Sequence, residues 1–350
     1  MSLLARPGQT LIDHLLQTRV KTDEIWEQLN ITGTFMGRGK FTKQQLQTVS
    51  DIIALTHDIG KCTNYFQRSL ANLPTENTYH TQLSSIIAFY ETLACIDTTD
   101  MEAKQALAYI SAMIVRKHHQ GLMRLEYDWE YSYDEIMMMR YQLQDIDPVE
   151  LGMLNDSLQL PIPLDVNTLD LWVDKIQRDI HNAMLATSLK RFVDSATLEY
   201  WDVNFIPKLL FSILIQSDSL DANHRKHIPS RVDDITIDDM FLVKLCNIRQ
   251  QQAQTTSYLP RIIYLVPILT ELRQTKQITI DDGRAHSWNA EIIITTPTVF
   301  NGVLFPQSKN EYYKIWPIVG SIIVTNGLFI IDWVKDYLQT KFNCVVKEAV

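Results

Sequence analysis

The spacing of apolar residues over the first 225 positions is the feature that most restricts how this chain can fold. Apolar side chains recur every three or four residues, which is the period of an amphipathic helix. The runs that show this period are 11–16, 46–55, 83–93, 106–115, 171–193 and 205–220. Glycine or proline separates them, for example at Pro74, Gly121 and Pro161. Six or more helices joined by short loops predict a mainly α fold, a helical bundle around one core.

A change of pattern after residue 226 predicts a second region. Short β-branched runs bounded by turn residues are expected to form strands there. They occupy residues 261–267, 291–297, 321–324 and 329–332. Their apolar stretches are almost continuous, which suits strands covered on both faces. We therefore expect a helical domain at 1–225, a helical linker at 226–260 and a small α/β region at 261–350.

Composition restricts the partners and the compartment. The chain has 32 Lys and Arg against 41 Asp and Glu, a net charge of −9, which argues against a protein that coats duplex DNA. It does not exclude a nuclease whose metal ions supply local positive charge. The four scattered cysteines and the lack of a signal peptide predict a reduced, cytoplasmic chain without a cysteine zinc site. No uncharged stretch reaches the ~20 apolar residues that a membrane helix needs, so no membrane contact is expected.

The strongest chemical signal is the sequence LTHDIGK at residues 55–61. His57 and Asp58 end an apolar helix, and burying both is costly unless they are paired or bind a metal ion. Lys61 lies three residues after Asp58 on the same helix face, where it can neutralise a carboxylate or a bound phosphate. A His-Asp pair alone is a weak signal, because such pairs also occur on protein surfaces.

Other metal-ligating residues occur at informative places in the helical region and can converge in the core of a bundle. They are His14, His80, His118, His119 and Asp218. Imidazole and carboxylate together suit Fe, Mn, Co, Ni or Zn, and a bridging carboxylate suits a centre of two metal ions. Side chains of helix neighbours diverge by about 100°, so His118 and His119 reach one ion only if their helix breaks near residue 120.

Some of these positions also have ordinary structural interpretations. His14 could form a surface pair with Asp13, and His80 could cap its helix. The carboxylate that follows the last helical run could be Asp218 or Asp221, which lie three residues apart on one face. The aromatic residues Tyr127, Trp129, Tyr131 and Tyr133 either pack or stack single-stranded bases at the mouth of the site.

The ordered set of motifs resembles the HD nuclease domain of the type I CRISPR nuclease–helicase. The resemblance covers about residues 10–225. It rests on His14, HDIGKCTNYFQ at 57–67, His80, His118-His119 before Gly121, and Asp218. It implies the HD-superfamily helical fold and a metal-dependent nuclease that hydrolyses phosphodiester bonds of single-stranded DNA in CRISPR interference, an antiviral defence. The implied partner is a CRISPR surveillance complex or a separate helicase subunit.

The resemblance also implies a ligand set for two divalent transition metal ions, Mn, Fe, Co or Ni. One ion would be held by His14, His57, Asp58 and Asp218, and the other by Asp58, His80, His118 and His119. Asp58 would therefore bridge the two ions. Lys61 would contact the scissile phosphate, which makes Asp58 and Lys61 the expected catalytic residues.

The tail at 261–350 resembles a truncated RecA-like segment of the family's helicase part. An ATP-binding loop there needs a glycine-rich turn with Lys and Ser or Thr. The chain has no glycine between Gly152 and Gly283, and IDWV at 331–334 lacks the second acid of a magnesium box. We therefore expect a tail without an ATP site. The alternative is an unrelated small α/β cap.

Two rival functions stay open from the sequence. The net charge of −9 suits an HD phosphohydrolase acting on nucleotides or cyclic oligonucleotides slightly better than it suits a nuclease acting on DNA. A non-catalytic mimic could dock where the nuclease–helicase docks and inhibit it. The intact set of seven metal-ligating side chains weakens that second rival, since a decoy has no need of them.

Overall fold

The structure, a computed structural model, describes most of the helical region and isolated pieces beyond it. The described residues are 3–29, 31, 41–122, 131–186, 198–222, 264–266, 292–295, 303–304, 312, 315, 322–326, 338–340 and 345–349. The chain divides into two compact units. The first is formed by Met1–Trp26 and Thr34–His227, and the second by Glu27–Gly33 and Ile228–Val350.

The described part of the first unit is built from nine α-helices and one 3-10 helix. They are α1 (Leu11–Gln28), α2 (Lys43–Thr56), the 3-10 helix (Ile59–Cys62), α3 (Asn64–Leu70), α4 (Thr81–Cys95), α5 (Met101–Lys117), α6 (Tyr133–Gln144), α7 (Pro148–Leu158), α8 (Val166–Ala186) and α9 (Leu198–Ala222). The prediction of a mainly α helical bundle is confirmed. Among these described helices, none is both long and apolar enough to cross a membrane.

Local sequence explains where several helices begin. Thr42 caps α2 by accepting from the backbone N–H of Gln45, whose side chain bonds back to the Thr42 backbone. Ser132 and Glu135 form the same reciprocal pair at the start of α6. Such caps satisfy the N–H groups that a first helical turn leaves without partners.

Helix α4 lies at the centre of the bundle, where it packs against α5, α2 and α8. Its residues Leu83, Ile86 and Ile87 are fully buried in the main core, together with Leu11 and Leu15 of α1. Helix α9 packs against α2 and α5. The packing of apolar faces in this way brings polar residues of α1, α2, α4, α5 and α9 toward a common interior.

A short hairpin precedes α1 and was not predicted from the helical period. Strand β1 (Leu4–Arg6) pairs antiparallel with β2 (Gln9–Thr10). Gly8 in the turn has a φ of +83°, a conformation that a residue with a Cβ rarely adopts. The side chain of Gln67 bonds both the N–H and the carbonyl of Leu4, at 3.0 and 2.9 Å, which attaches the hairpin to α3.

The described strands of the second unit form one mixed sheet in the order β3-β4-β5-β6. They are β3 (Tyr264–Val266), β4 (Ile292–Thr295), β5 (Ile322–Asn326) and β6 (Val345–Ala349). Strands β4, β5 and β6 are parallel, and β3 is antiparallel to β4. Three of these strands lie within or overlap predicted runs, whereas β6 was missed. The fourth predicted run, 329–332, lies outside the described residues.

Candidate metal centre

The end of α2 delivers His57 and Asp58 into the interior. His57 takes the helix C-cap position, and Asp58 leaves the helix with φ −117° and ψ 5° before the 3-10 helix begins. Both side chains are buried, with 0% of His57 and 2% of Asp58 exposed. The change from α to 3-10 geometry turns the chain at this point. The two adjacent residues therefore both face the core, although neighbouring side chains of a continuous helix diverge by about 100°.

The two carboxylate oxygens of Asp58 face different sets of residues. Oδ2 lies 3.1 Å from His14 Nε2, 3.6 Å from His57 Nε2 and 2.6 Å from Lys61 Nζ. Oδ1 lies 3.0 Å from His80 Nε2 and 3.4 Å from His118 Nε2. One carboxylate thus stands between two groups of histidines.

Within each group the potential ligand atoms are close together. His14, His57 and Asp58 present theirs within 4.8 Å of one another, and so do Asp58, His80, His118 and His119. Two buried atoms that face each other across the second group, Asp58 Oδ1 and His118 Nε2, have no hydrogen-bond partner. A metal ion bound by this acceptor oxygen and this nitrogen lone pair would satisfy both atoms. The donor set of imidazole and carboxylate fits a divalent transition metal ion.

Hydrogen bonds to the backbone orient two of these histidines. His57 Nδ1 donates to the carbonyl of Ala54 at 2.9 Å, and His118 Nδ1 donates to the carbonyl of Val115 at 2.7 Å. A neutral imidazole has one N–H, so these bonds leave Nε2 of each ring free to bind a metal ion.

His118 and His119 follow the end of α5, which stops at Lys117. His118 is the C-cap residue, and Gln120 donates its N–H to the carbonyl of Lys117 at 2.7 Å. The expected break near residue 120 is present. It lets the two adjacent rings turn toward the same place, with His119 Nε2 3.0 Å from His80 Nε2.

His80 lies just before α4 and makes no side-chain cap to that helix. Its imidazole contacts Asp58 and His119 instead, and its ring lies edge-on to Phe66 at 5.2 Å. The interpretation of His80 as a helix cap is therefore wrong.

His14 is buried, and so the alternative of a surface pair with Asp13 is wrong as well. Asp13 bonds Thr10, whereas the His14 ring points inward to Asp58. On the opposite edge of the ring, Nδ1 lies 2.7 Å from Asp221 Oδ2.

Asp218 and Asp221 take different places. Asp218 Oδ1 lies 3.8 Å from His14 Nε2, the nitrogen that faces Asp58, and its side chain is 25% exposed. Asp221 binds the far side of the same ring and accepts two hydrogen bonds from Gln9 Nε2, at 3.1 and 2.9 Å. Asp218 lies outside the two close groups of ligand atoms described above.

Lys61 lies beside Asp58, as the three-residue spacing predicts. Its ammonium also donates to the carbonyl of Ala5 at 3.3 Å and lies over the ring of Phe66 at 5.3 Å. These contacts hold a positive charge at the rim of the group that contains His14 and His57.

Burial and neighbouring charges set the protonation of the centre. Burial lowers the pKa of His57 to about 3, so this ring is neutral at physiological pH and can bind a metal ion. Burial also lowers the pKa of His80. Burial acts to raise the pKa of Asp58, but the Lys61 ammonium 2.6 Å away and a hydrogen bond with His14 hold that pKa well below its usual value. Asp58 is therefore an ionised carboxylate.

The structure decides between the two interpretations for one of the aromatic residues, and it adds two hairpin residues that were missed from the sequence. Tyr131 is 2% exposed; its hydroxyl bonds Ser85 and its ring lies 4.5 Å from the guanidinium of Arg116. It packs and cannot stack a base at the surface, while Tyr127 and Trp129 lie outside the described residues. Arg6 and Gln9 of the hairpin contact the centre, and no motif in the sequence indicates them.

A helical bundle that holds a buried histidine–aspartate centre is typical of HD-type metal-dependent phosphohydrolases. Residues 5–137 match the family model described as Cas3, HD domain. That region of the chain is similar to Cas3 HD domains. The resemblance inferred from the ordered motifs is confirmed for it.

Two individual proteins are similar to the chain. A CRISPR-associated endonuclease Cas3-HD from Pyrococcus furiosus is 27% identical over 127 residues, which are 35% of this chain and 51% of that protein. The chain thus spans about half the length of this curated relative. The solved Cas3 HD domain protein from Methanocaldococcus jannaschii is 17% identical with a TM-score of 0.36, covering 62% of this chain and 99% of that one.

Proposed function

We propose that the protein is a metal-dependent HD nuclease that hydrolyses phosphodiester bonds of single-stranded DNA in type I CRISPR interference. The observation that carries the proposal is the position of Asp58, whose two oxygens face two separate histidine groups at 3.0–3.6 Å. The Pyrococcus relative, whose name describes it as a CRISPR-associated endonuclease, supports the choice of a nuclease.

In this proposal two divalent ions, Mn, Fe, Co or Ni, occupy the centre. His14, His57, Asp58 and Asp218 hold one, and Asp58, His80, His118 and His119 hold the other. When bound, such a pair lowers the pKa of a water nucleophile and stabilises charge on the leaving oxygen. The protein supplies imidazoles, two of which have Nε2 directed by a backbone hydrogen bond, and one ionised carboxylate that serves both positions.

Lys61 is proposed to bind the scissile phosphate. Its ammonium is held at the rim by Asp58 and by the Ala5 carbonyl. From there it can donate to a non-bridging phosphate oxygen and offset the charge that develops during hydrolysis. No side chain needs to form a covalent bond to the substrate.

The proposal extends to the rest of the chain. We assign residues 1–225 to the nuclease domain, 226–260 to a linker and 261–350 to a helicase-like remnant without an ATP site. The proposed setting is the cytoplasm, with recruitment by a CRISPR surveillance complex or a separate helicase subunit. A chain without a motor depends on a partner to expose single-stranded DNA.

The test is cleavage of circular single-stranded DNA by the purified protein with each of the four metal ions. Cleavage should require the metal ion, stop with a chelator and spare covalently closed duplex. Asp58→Ala should abolish it, because both ions lose a ligand, whereas Asp156→Ala changes an exposed carboxylate of α7 and should leave it unchanged. Retained cleavage by Asp58→Ala would exclude the mechanism. Hydrolysis of nucleotides or cyclic oligonucleotides without DNA cleavage would favour the phosphohydrolase, and absence of metal binding would favour a docking mimic.

A further inference from the structure

We infer that Asp221 is a positioning residue that holds His14 with its proton on Nδ1 and its Nε2 lone pair toward Asp58. The inference rests on the proposed metal binding and deepens it, because it assigns a role to a residue outside the ligand set. It also gives the two carboxylates of α9 different roles. Asp218 faces the metal centre, whereas Asp221 contacts His14 and affects the centre through that ring.

The first step is the contact itself. His14 Nδ1 and Asp221 Oδ2 are 2.7 Å apart, and His14 is fully buried. An ionised carboxylate can only accept a hydrogen bond. If Nδ1 carried no proton, its lone pair would face the lone pairs of the carboxylate at this distance. The other nitrogen, Nε2, lies farther from its acceptors, 3.1 Å from Asp58 Oδ2 and 3.2 Å from His57 Nε2. We therefore assign the single proton of the neutral ring to Nδ1, beside the closest acceptor, which leaves Nε2 bare.

His14 needs such a partner because of its place in the fold. His57 and His118 lie at helix C-termini, where the carbonyls of the last turn lack intrahelical partners and can accept from Nδ1. His14 lies in the first turn of α1, where backbone carbonyls accept the bonds of the following turns. The acceptor for its Nδ1 therefore has to come from elsewhere, and α9 supplies it.

The carboxylate of Asp221 is itself fixed by the hairpin. Gln9 Nε2 donates to both of its oxygens, and Arg6 Nη2 lies 3.3 Å from Oδ2. Both oxygens are thus occupied by protein donors. Asp218 Oδ1 lies 3.8 Å from the other nitrogen of His14, on the side of Asp58. This arrangement makes Asp218 the candidate ligand and Asp221 the residue behind it.

Arg6 offers a competing assignment. Its Nη2 lies 2.8 Å from His14 Nδ1 and could donate to it, which would place the His14 proton on Nε2, directed at Asp58 Oδ2 3.1 Å away. That tautomer would block metal binding by His14. A bare Nδ1 would also leave its lone pair 2.7 Å from an oxygen of ionised Asp221, which argues against this tautomer. Arg6 can instead donate to Asp221 Oδ2 at 3.3 Å and form an ion pair with Asp218, 3.6 Å away. Asp221 therefore decides which nitrogen of His14 is available.

The primary test reads the tautomer directly in the metal-free protein. Nitrogen-15 NMR at alkaline pH, where the ring is neutral, distinguishes the two nitrogens of His14, assigned by their loss in His14→Gln. The wild type should carry its proton on Nδ1. Asp221→Leu should move it to Nε2, where Asp58 Oδ2 and His57 Nε2 are the remaining acceptors. Asp221→Asn retains an acceptor oxygen of similar shape and should preserve the wild-type tautomer. An Nε2 proton in the wild type, or no change in Asp221→Leu, would overturn the inference.

A second readout is metal affinity, measured by calorimetry with Mn²⁺ alone. Loss of an outer partner of a ligating histidine typically weakens affinity about 10- to 100-fold, which we expect for Asp221→Leu. Asp221→Asn should lie between that variant and the wild type, and Asp156→Asn should match the wild type. Equal thermal midpoints in chelator would show that the fold is retained. Wild-type affinity in a folded Asp221→Leu protein would also overturn the inference. A wild type that binds Mn²⁺ but cuts no DNA would refute only the proposed nuclease.

Discussion

The carbonyl oxygen of His80 occupies the place where a side chain at Gly60 would begin. A Cβ on Gly60 would lie 2.2 Å from that oxygen, which is far inside van der Waals contact. The Gly60 N–H also donates to Ser84 Oγ at 2.8 Å. The 3-10 helix that follows Asp58 is thereby pressed directly against the start of α4. This close approach brings His80 within reach of Asp58.

Gly60→Ala should therefore disturb both stability and the centre. The backbone of residue 80 has to move, and overpacking of this kind costs roughly 1–3 kcal/mol. We expect a lower urea midpoint and weaker Mn²⁺ binding in the same variant. Gly152→Ala is the matched control, because a Cβ there meets nothing within 4 Å and alanine should stabilise α7 by up to about 1 kcal/mol. Unchanged metal binding in Gly60→Ala would contradict this view of the contact.

Lys61→Met should separate catalysis from metal binding. The ammonium lies 2.6 Å from Asp58 Oδ2, so its removal leaves that oxygen freer to bind a cation. Affinity for Mn²⁺ should be unchanged or higher, while cleavage of single-stranded DNA falls about 100-fold or more if Lys61 stabilises the phosphate. Calorimetry and cleavage measured on the same preparation check the two effects, with Lys175→Met on α8 as control. Wild-type cleavage by Lys61→Met would exclude a catalytic role.

Glu91→Gln should change how stability depends on pH. Glu91 is 0% exposed; its Oε2 accepts from the Ile162 N–H at 3.0 Å, and its Oε1 has no hydrogen-bond partner. Burial raises its pKa to about 7, so the folded state binds this proton more tightly than the unfolded state. Protonated Glu91 therefore contributes to the free energy of unfolding at acidic pH, and this contribution is lost as pH rises toward 7.

The glutamine variant removes this loss, because it carries no charge at any pH. Relative to wild type it should gain stability between about pH 5 and pH 8, by roughly 1–2 kcal/mol. Urea unfolding across this range measures the difference, and Glu102→Gln, on the exposed face of α5, should show none. A difference that is independent of pH would mean that Glu91 is ionised at all these pH values.

The intact chain should not hydrolyse ATP, with or without single-stranded DNA. Phosphate binding in such motors relies on backbone N–H groups of a glycine-rich loop, and the chain has no glycine between Gly152 and Gly283. Phosphate release should be measured in the Asp58→Ala background, so that the DNA is not degraded during the assay. DNA-stimulated ATP turnover there would show that a phosphate loop of another kind exists.

The helices and the identity of the central histidines could be predicted from the sequence, because both signals are local. Apolar periodicity located α2, α4 and α5, and the end of α5 before His118 followed from two adjacent histidines that had to share one site. The short helices α3, α6 and α7 carry too few turns to show a clear period. Strands β1 and β2 were missed because they have only three and two residues, and β6 because Lys347 and Glu348 interrupt its apolar run.

By itself, the sequence determined the bundle and the chemical character of its centre, since spacing and residue type are properties of short segments. Only the tertiary structure decided how Asp58 is shared, with one oxygen toward His14 and the other toward His80. It also distinguished Asp221 from Asp218, because Asp221 contacts His14 across 207 positions of sequence. Such long-range contacts depend on how whole helices pack. No local pattern encodes which edge of a buried ring a distant carboxylate will reach.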